Sequence, residues 1–178
     1  MSSPLTCHPH EYHETTTKLK SFFDSKGFTE VHTQSRLSIL AACENPFNIS
    51  TFEYGGCVYP LPQTGQMWLE HELLKNPSAK GYYCQSTSYR NEPNPIVGRH
   101  QTIFPMFEFE LHGGMDELMV MEKELLVHLG YSNFHEMNYM EAVEKYNPPG
   151  GELEHEHEQK MEKDYGNAVF LKNFPEYT

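Results

Sequence analysis

The sequence predicts an α/β protein in which a mainly antiparallel β-sheet is flanked by helices. Three observations carry this expectation. Residues 82–90 (YYCQSTSYR) and 101–111 (QTIFPMFEFEL) are rich in aromatic and β-branched side chains and alternate along their length, the pattern of extended strands. Between them, NEPNPIVG supplies two prolines, two asparagines and a glycine, the chemistry of a long hairpin loop. Apolar residues at helical spacing stand on both sides of this hairpin, over 11–26 and 115–129.

From the N-terminus, a helix over 11–26 puts Leu19, Phe22 and Phe23 on its apolar stripe and stops at Gly27. Residues 28–33 (FTEVHT) follow as a strand. The stretch 35–56 has poor periodicity and the breakers Asn45-Pro46 and Gly55-Gly56, and reads as loop with short strands. A helix starts near Gly65 in LPQTGQMWLEHELLK and turns Met67, Leu73 and Leu74 inward. In the hairpin, side chains alternate across each strand. Ile103, Pro105, Phe107, Phe109 and Leu111 therefore share a wholly apolar face, the core side. Phe104, Met106, Glu108 and Glu110 share the other. Two carboxylates are costly to bury without partners, so this second face is the candidate site. Arg90 and Glu92 join one face if the first strand runs on into the loop. Further on, Leu118, Met121, Leu125 and Leu129 form the core stripe of a helix over 115–129 that ends at Gly130. A short helix over 138–146 ends at Asn147-Pro148-Pro149-Gly150-Gly151, and 168–174 closes the chain as a strand. There is no internal repeat.

A chain of 178 residues fits one domain, 1–178, with room for a real core. At 38% hydrophobic and 13% aromatic it is globular rather than disordered, and no apolar run has the length of a bilayer span. The start, MSSPLTCHPHEYHE, lacks the basic region and apolar block of a secretory signal. Cys7, Cys43, Cys57 and Cys84 are scattered, as reduced thiols in a cytoplasmic protein would be. The 13 basic against 25 acidic residues give a formal charge of −12. Nucleic-acid binding relies on Lys and Arg neutralising phosphates, so this balance disfavours tight binding of tRNA by the chain alone.

Two histidine clusters invite a metal reading and fail it. In GELEHEHEQKMEKDYG, His155 and His157 are two residues apart, about 200° round a helix, so they cannot hold one ion together. Leu153, His157 and Met161 instead fall on one stripe of an acidic helix packed by its edge. The spacing of Cys7, His8, His10 and His13 matches no zinc pattern. No metal ligands are assigned in this chain.

Arg90-x-Glu92, the loop, Arg99-His100 and Phe104, then Glu108-x-Glu110, resemble motif 2 of the class II aminoacyl-tRNA synthetases, nearest to the aspartyl, asparaginyl and lysyl group. The helix, Gly27-Phe28 and Glu30-Val31-x-Thr33 resemble motif 1, through which these enzymes dimerise, although Gln34 stands where the family has proline. Residues 64–70 (TGQMWLE) resemble the SGQLYLE segment of asparaginyl enzymes, and the final strand with Phe174-Pro175 is similar to their vFltdyP strand. Leu69 occupies the position of a lysine that holds the substrate carboxylate in aspartyl enzymes, which points toward the asparaginyl side.

The resemblance implies ATP-dependent formation of an aminoacyl-adenylate from asparagine or aspartate. Arg90 would be the catalytic residue, bridging the α-phosphate and the amino-acid carboxylate with its planar guanidinium. Glu92 would accept from the adenine amino group, Phe104 would stack on the base, and Arg99 with a partly protonated His100 would meet the β- and γ-phosphates. Gln66, Glu70, Glu108 and Glu110 would border the amino acid. The resemblance spans the first half to two-thirds of the family's catalytic domain. Motif 3, the acidic residues that hold Mg2+ in the family and an anticodon-binding domain are not seen within residues 1–178, so the sequence is expected to be either a fragment of a longer protein or a shortened paralogue. Three activities fit this sequence: a synthetase-type ligase, a tRNA-independent relative of the kind that makes asparagine from aspartate, and a non-catalytic nucleotide-binding or dimerisation module. A homodimer is expected in each case.

Overall fold

The computed structural model describes residues 8–38, 46–96 and 100–176. The chain divides into two compact units, Met1–Leu118 and Met119–Thr178.

In the first unit, helix α1 (Pro9–Ser25) has proline in its first turn, where the missing N–H is no loss. It ends with the Gly27 amide bonded to the Asp24 carbonyl at 3.0 Å. Strand β1 (Thr29–Glu30) runs parallel to β4 (Gly81–Tyr89), which pairs antiparallel along nine residues with β5 (Ile103–Leu111). The sheet order is β1-β4-β5. Phe23 is fully buried, with the rings of Phe28, Tyr83, Phe107 and Phe109 at 4.8 to 5.6 Å, so α1 covers the odd-numbered face of the hairpin. Helix α2 (Gln66–Lys75) covers part of the even-numbered face, where Leu69 packs against Val31 and Cys84. Strands β2 (Thr51–Tyr54) and β3 (Cys57–Pro60) make a separate hairpin. Its two-residue turn is Gly55-Gly56, at φ of 60° and 77°, a conformation that side chains resist.

Several expectations change on folding. The strand over 28–33 shrinks to two residues, because Thr33 begins a 3₁₀ turn, Thr33–Ser35. Leu74 is 73% exposed; Leu69 and Leu73, one turn apart, are the inward pair. Ile103 is 59% exposed and Pro105 is exposed too, because the aromatic core under α1 meets β5 at Phe107 and Phe109. Asn45, Cys7 and Cys43 lie outside the described residues.

Helix α3 (Met115–Leu129) has the expected limits, but Leu118, Met121, Leu125 and Leu129 are only half-buried. In the second unit, β6 (His135–Asn138) pairs parallel with β7 (Val169–Lys172). Helix α4 (Tyr139–Tyr146) starts with a capping box between Asn138 and Glu141 and ends at Asn147 in the left-handed region. With α5 (His155–Tyr165) it encloses a small core of Met137, Ala142 and Met161, flanked by Tyr146, Leu153 and Leu171. Strand pairing is therefore mixed: the long β4/β5 ladder is antiparallel, and the short ones at β1/β4 and β6/β7 are parallel.

Candidate active site

Helix α2 starts directly over Glu108. The Gly65 amide donates to Glu108 Oε2 at 2.8 Å, Ser86 Oγ donates to the same oxygen at 2.5 Å, and Thr64 Oγ1 donates to Oε1. A carboxylate at a helix N-terminus satisfies amides that lack helical partners and meets the positive end of the helix dipole. Glycine is required at 65 by space: a Cβ there would sit 2.7 Å from Cys84 Sγ and 3.2 Å from Glu108 Oε2. Burial, and then the Glu108 charge, push the Cys84 thiol up to about 12, so it is no nucleophile at neutral pH.

Two residues along the same face, Glu110 meets α2 again. Its carboxyl is held above the usual carboxylate range, first by burial and then by the charge of Glu70, while a hydrogen bond from Gln66 works the other way. The fold thus gathers Gln66, Glu70, Glu108 and Glu110 where α2 crosses β5. A cavity of about 220 Å³ opens beside the start of α2, with Thr33, Arg36, Ser38, Thr64, Trp68 and Ser86 in its wall. Arg36 is fixed there by Glu72 at 2.8 Å and by the Trp68 ring, 4.9 Å away, and Trp68 Nε1 donates to the Leu37 carbonyl at 2.9 Å.

At the loop end, the Arg90 amide donates to the Thr102 carbonyl at 2.8 Å, which extends the β4/β5 ladder by a residue. Ser88 is opposite Phe104 in that register, so position 90 falls on the face of Ser88 and Phe104. Arg90 is exposed and Phe104 half-buried. The strand does not run on to Glu92 as expected: the Glu92 amide donates to the Arg90 carbonyl at 2.9 Å, a tight turn past the end of the ladder, and Glu92 Oε2 accepts from Asn48 Nδ2 at 3.0 Å. Asn48 is itself 2% exposed, and its carbonyl accepts from Gln63 Nε2 at 3.1 Å and from the Asn91 amide at 2.9 Å. His100 staples the loop: its amide donates to the Ile96 carbonyl at 2.9 Å, and its Nδ1 accepts from the Ile96 amide at 3.1 Å. Arg99 lies outside the described residues.

Asn48, Gln63, Thr64 and Ser86 were not singled out from sequence. Thr64-Gly65 ahead of an apolar helix is a capping signal that could have been read. Asn48 offers no such signal, since its partner is 44 positions away. Of the histidine block, His157 is 2% exposed and its Nδ1 accepts from the Glu154 amide at 2.9 Å, closing the first turn of α5. Among the described residues no three histidine, cysteine or acidic side chains are grouped to hold a metal ion, and no helix is long and apolar enough to cross a membrane.

The fold has close counterparts among solved structures. The asparaginyl-tRNA synthetase from Pyrococcus horikoshii, complexed with asparaginyl-adenylate, superposes with a TM-score of 0.79 at 17% identity, over 93% of this chain and 44% of that one. The Entamoeba histolytica asparaginyl-tRNA synthetase in complex with asparaginyl-adenylate gives 0.72 at 18% identity, over 93% of this chain and 43% of that one. The chain thus spans less than half the length of these neighbours, and identities this low speak to the fold alone. No curated protein matches the sequence. The family model of the class II tRNA synthetases (D, K and N) matches residues 11–178. With nearly the whole chain inside that match and the same fold in its structural neighbours, the protein belongs to the class II tRNA synthetases of the D, K and N group.

Proposed function

We propose that this chain binds ATP and a small amino acid, asparagine before aspartate, and joins them as an aminoacyl-adenylate. The observation that supports this most is the even-numbered hairpin face, with Arg90 and Phe104 toward the loop and Gln66, Glu70 and Glu110 toward α2, together with Glu92 held by Asn48 just past the strand end. In the reaction a carboxylate oxygen of the amino acid attacks the α-phosphorus and pyrophosphate leaves, so the protein's task is to orient two anions and offset their charge. Arg90 does this at the α-phosphate. Glu92 takes a hydrogen bond from the adenine amino group, Phe104 stacks on the ring, and Arg99 and His100 meet the outer phosphates. Mg2+ accompanies the nucleotide, and no ligand for it is assigned to this chain. The preference for asparagine rests on the acidic wall: Glu70 and Glu110 suit a ligand that donates hydrogen bonds and repel a side-chain carboxylate, and Leu69 is fully buried where a lysine would be needed for aspartate.

ATP–pyrophosphate exchange with each amino acid tests the reading. Exchange dependent on asparagine, and lost in Arg90→Ala together with ATP binding, is the expected result; unchanged ATP binding by that variant removes the site. The charge of −12 weighs against tRNA charging by this chain alone; a tRNA-independent ligase that amidates aspartate is the second reading, and amidation of aspartate against acylation of tRNA separates the two. ATP binding with no exchange would leave the non-catalytic module. A homodimer through the α1 and β1 region, in the cytoplasm, completes the proposal.

A further inference from the structure

We propose that Asn48 is a positioning residue for the base-reading carboxylate of Glu92, and thereby sets the preference for adenine. The inference rests on the nucleotide reading above and adds a residue from outside the hairpin. Asn48 closes a 3₁₀ turn, Pro46–Asn48, and its amide nitrogen donates to Glu92 Oε2 at 3.0 Å. That bond occupies one carboxylate oxygen and leaves Oε1 to accept from a ligand. Asn48 is held by its own carbonyl, which takes two donors, Gln63 Nε2 and the Asn91 amide. Gln63 is 5% exposed, and the Tyr89 amide donates to the neighbouring Pro62 carbonyl at 2.9 Å. The end of β4 and the turn at 48 are thus tied together by hydrogen bonds at Tyr89 and Asn91, directly ahead of Glu92.

Such a support matters because Glu92 lies two residues past Arg90, the last ladder residue, where the backbone turns out of the sheet. A glutamate there has three side-chain rotors, and an unfixed carboxylate discriminates poorly between a donor and an acceptor on the base edge. Fixed by Asn48, its free oxygen meets the 6-amino group of adenine favourably and the 6-oxygen of hypoxanthine unfavourably. The charge-assisted bond from an amide is of the kind that carries such discrimination.

The test measures ATP and ITP binding by calorimetry for the whole chain. Asn48→Asp keeps the shape but replaces the donor by a carboxylate facing Glu92. ATP affinity should fall on the order of tenfold, and the ATP-to-ITP ratio should collapse toward one. In the double variant Asn48→Asp with Glu92→Gln, the amide introduced at position 92 donates to the carboxylate introduced at position 48. Its oxygen again faces the base, so the ratio should recover. A purely structural Asn48 would lower both affinities alike and show no recovery of the ratio, and that result overturns the inference. Wild-type affinity and ratio in Asn48→Asp overturn it as well, leaving the nucleotide reading intact. A wild-type chain that binds neither nucleotide overturns both.

Discussion

In the first unit, Met1–Leu118, the polar groups of interest are inside: Asn48, Gln63, Ser86 and Ser88 are all buried, and Glu108 takes three donors from other segments. In the second, Met119–Thr178, the charges ride outside an apolar plug. Glu136 is flanked by Lys123 and Lys172, and Lys145 pairs with Asp164 at 2.7 Å, each side chain about a third or more exposed. A buried polar group that is satisfied is held in one geometry, as Ser86 Oγ, Gln63 Nε2 and Asn48 Nδ2 are, whereas Ser88 Oγ and Asn48 Oδ1 are buried without a partner, at a cost in free energy. An exposed pair can exchange its partner for water at little cost. The difference separates a unit built to hold side chains in place from one built to stay folded.

The largest expected effect tests the core beneath the first unit's site. Phe23→Ala removes the ring that five others, Phe22 included, pack against and should cost about 3–5 kcal/mol in urea denaturation, with loss of hydrogen-exchange protection in β4 and β5. Retained protection there would mean that α1 does not support the hairpin. Next, Glu108→Ala strands the Gly65 amide and the Thr64 and Ser86 hydroxyls, for a loss of about 1–3 kcal/mol, whereas Glu108→Gln should lose less. If both variants match the wild type, the start of α2 is not anchored through this carboxylate.

Acid titration contrasts the units through one carboxylate in each. Lys123 and Lys172 hold Glu136 down to about 2. A depressed acid contributes stability above its unfolded value, near 4.5, and loses that contribution as pH falls from there toward 2. Glu110 is raised, so the sign reverses: its ionisation opposes folding at neutral pH, and the penalty fades as pH falls from the raised value and is gone below about 4.5. Glu110→Gln should therefore stabilise the chain at pH 7 and Glu136→Gln should destabilise it, with the two effects converging at acid pH. Melting temperatures from pH 3 to 8 check this, and equal signs at pH 7 would break the contrast. The smallest change is expected for Lys145→Met. It should alter stability slightly at low salt and not at all at about 1 M salt, because both partners are solvated.

Much of the fold was legible because it is written in local patterns. The limits of α3, the start of α2 after Gly65 and the stop of α1 before Gly27 follow from periodicity and caps. Which residues share a face of the hairpin follows from alternation on either side of a proline-rich loop, whereas the partners across it are set by the ladder. Leu74 went wrong because adjacent leucines differ by about 100° around a helix, and only the partner surface says which one faces in. Ile103 and Pro105 share a face with Phe107 and Phe109, but alternation cannot say how far along the strand the aromatic packing reaches. At the site, residues within one ribbon could be placed by parity, while Asn48, Gln63 and Thr64 could not, since each acts on a residue far away in sequence.

The sequence alone determined which residues occupy the even-numbered hairpin face, the family that arrangement belongs to, and the excess of acidic charge, because side-chain alternation and composition need no third dimension. Tertiary structure decided what touches that face: α2 starting on Glu108 and Asn48 supporting Glu92. Those outcomes depend on hydrogen bonds between segments whose separation is fixed only when the helices have packed on their sheets, as α1 and α2 do on opposite sides of the β4/β5 hairpin.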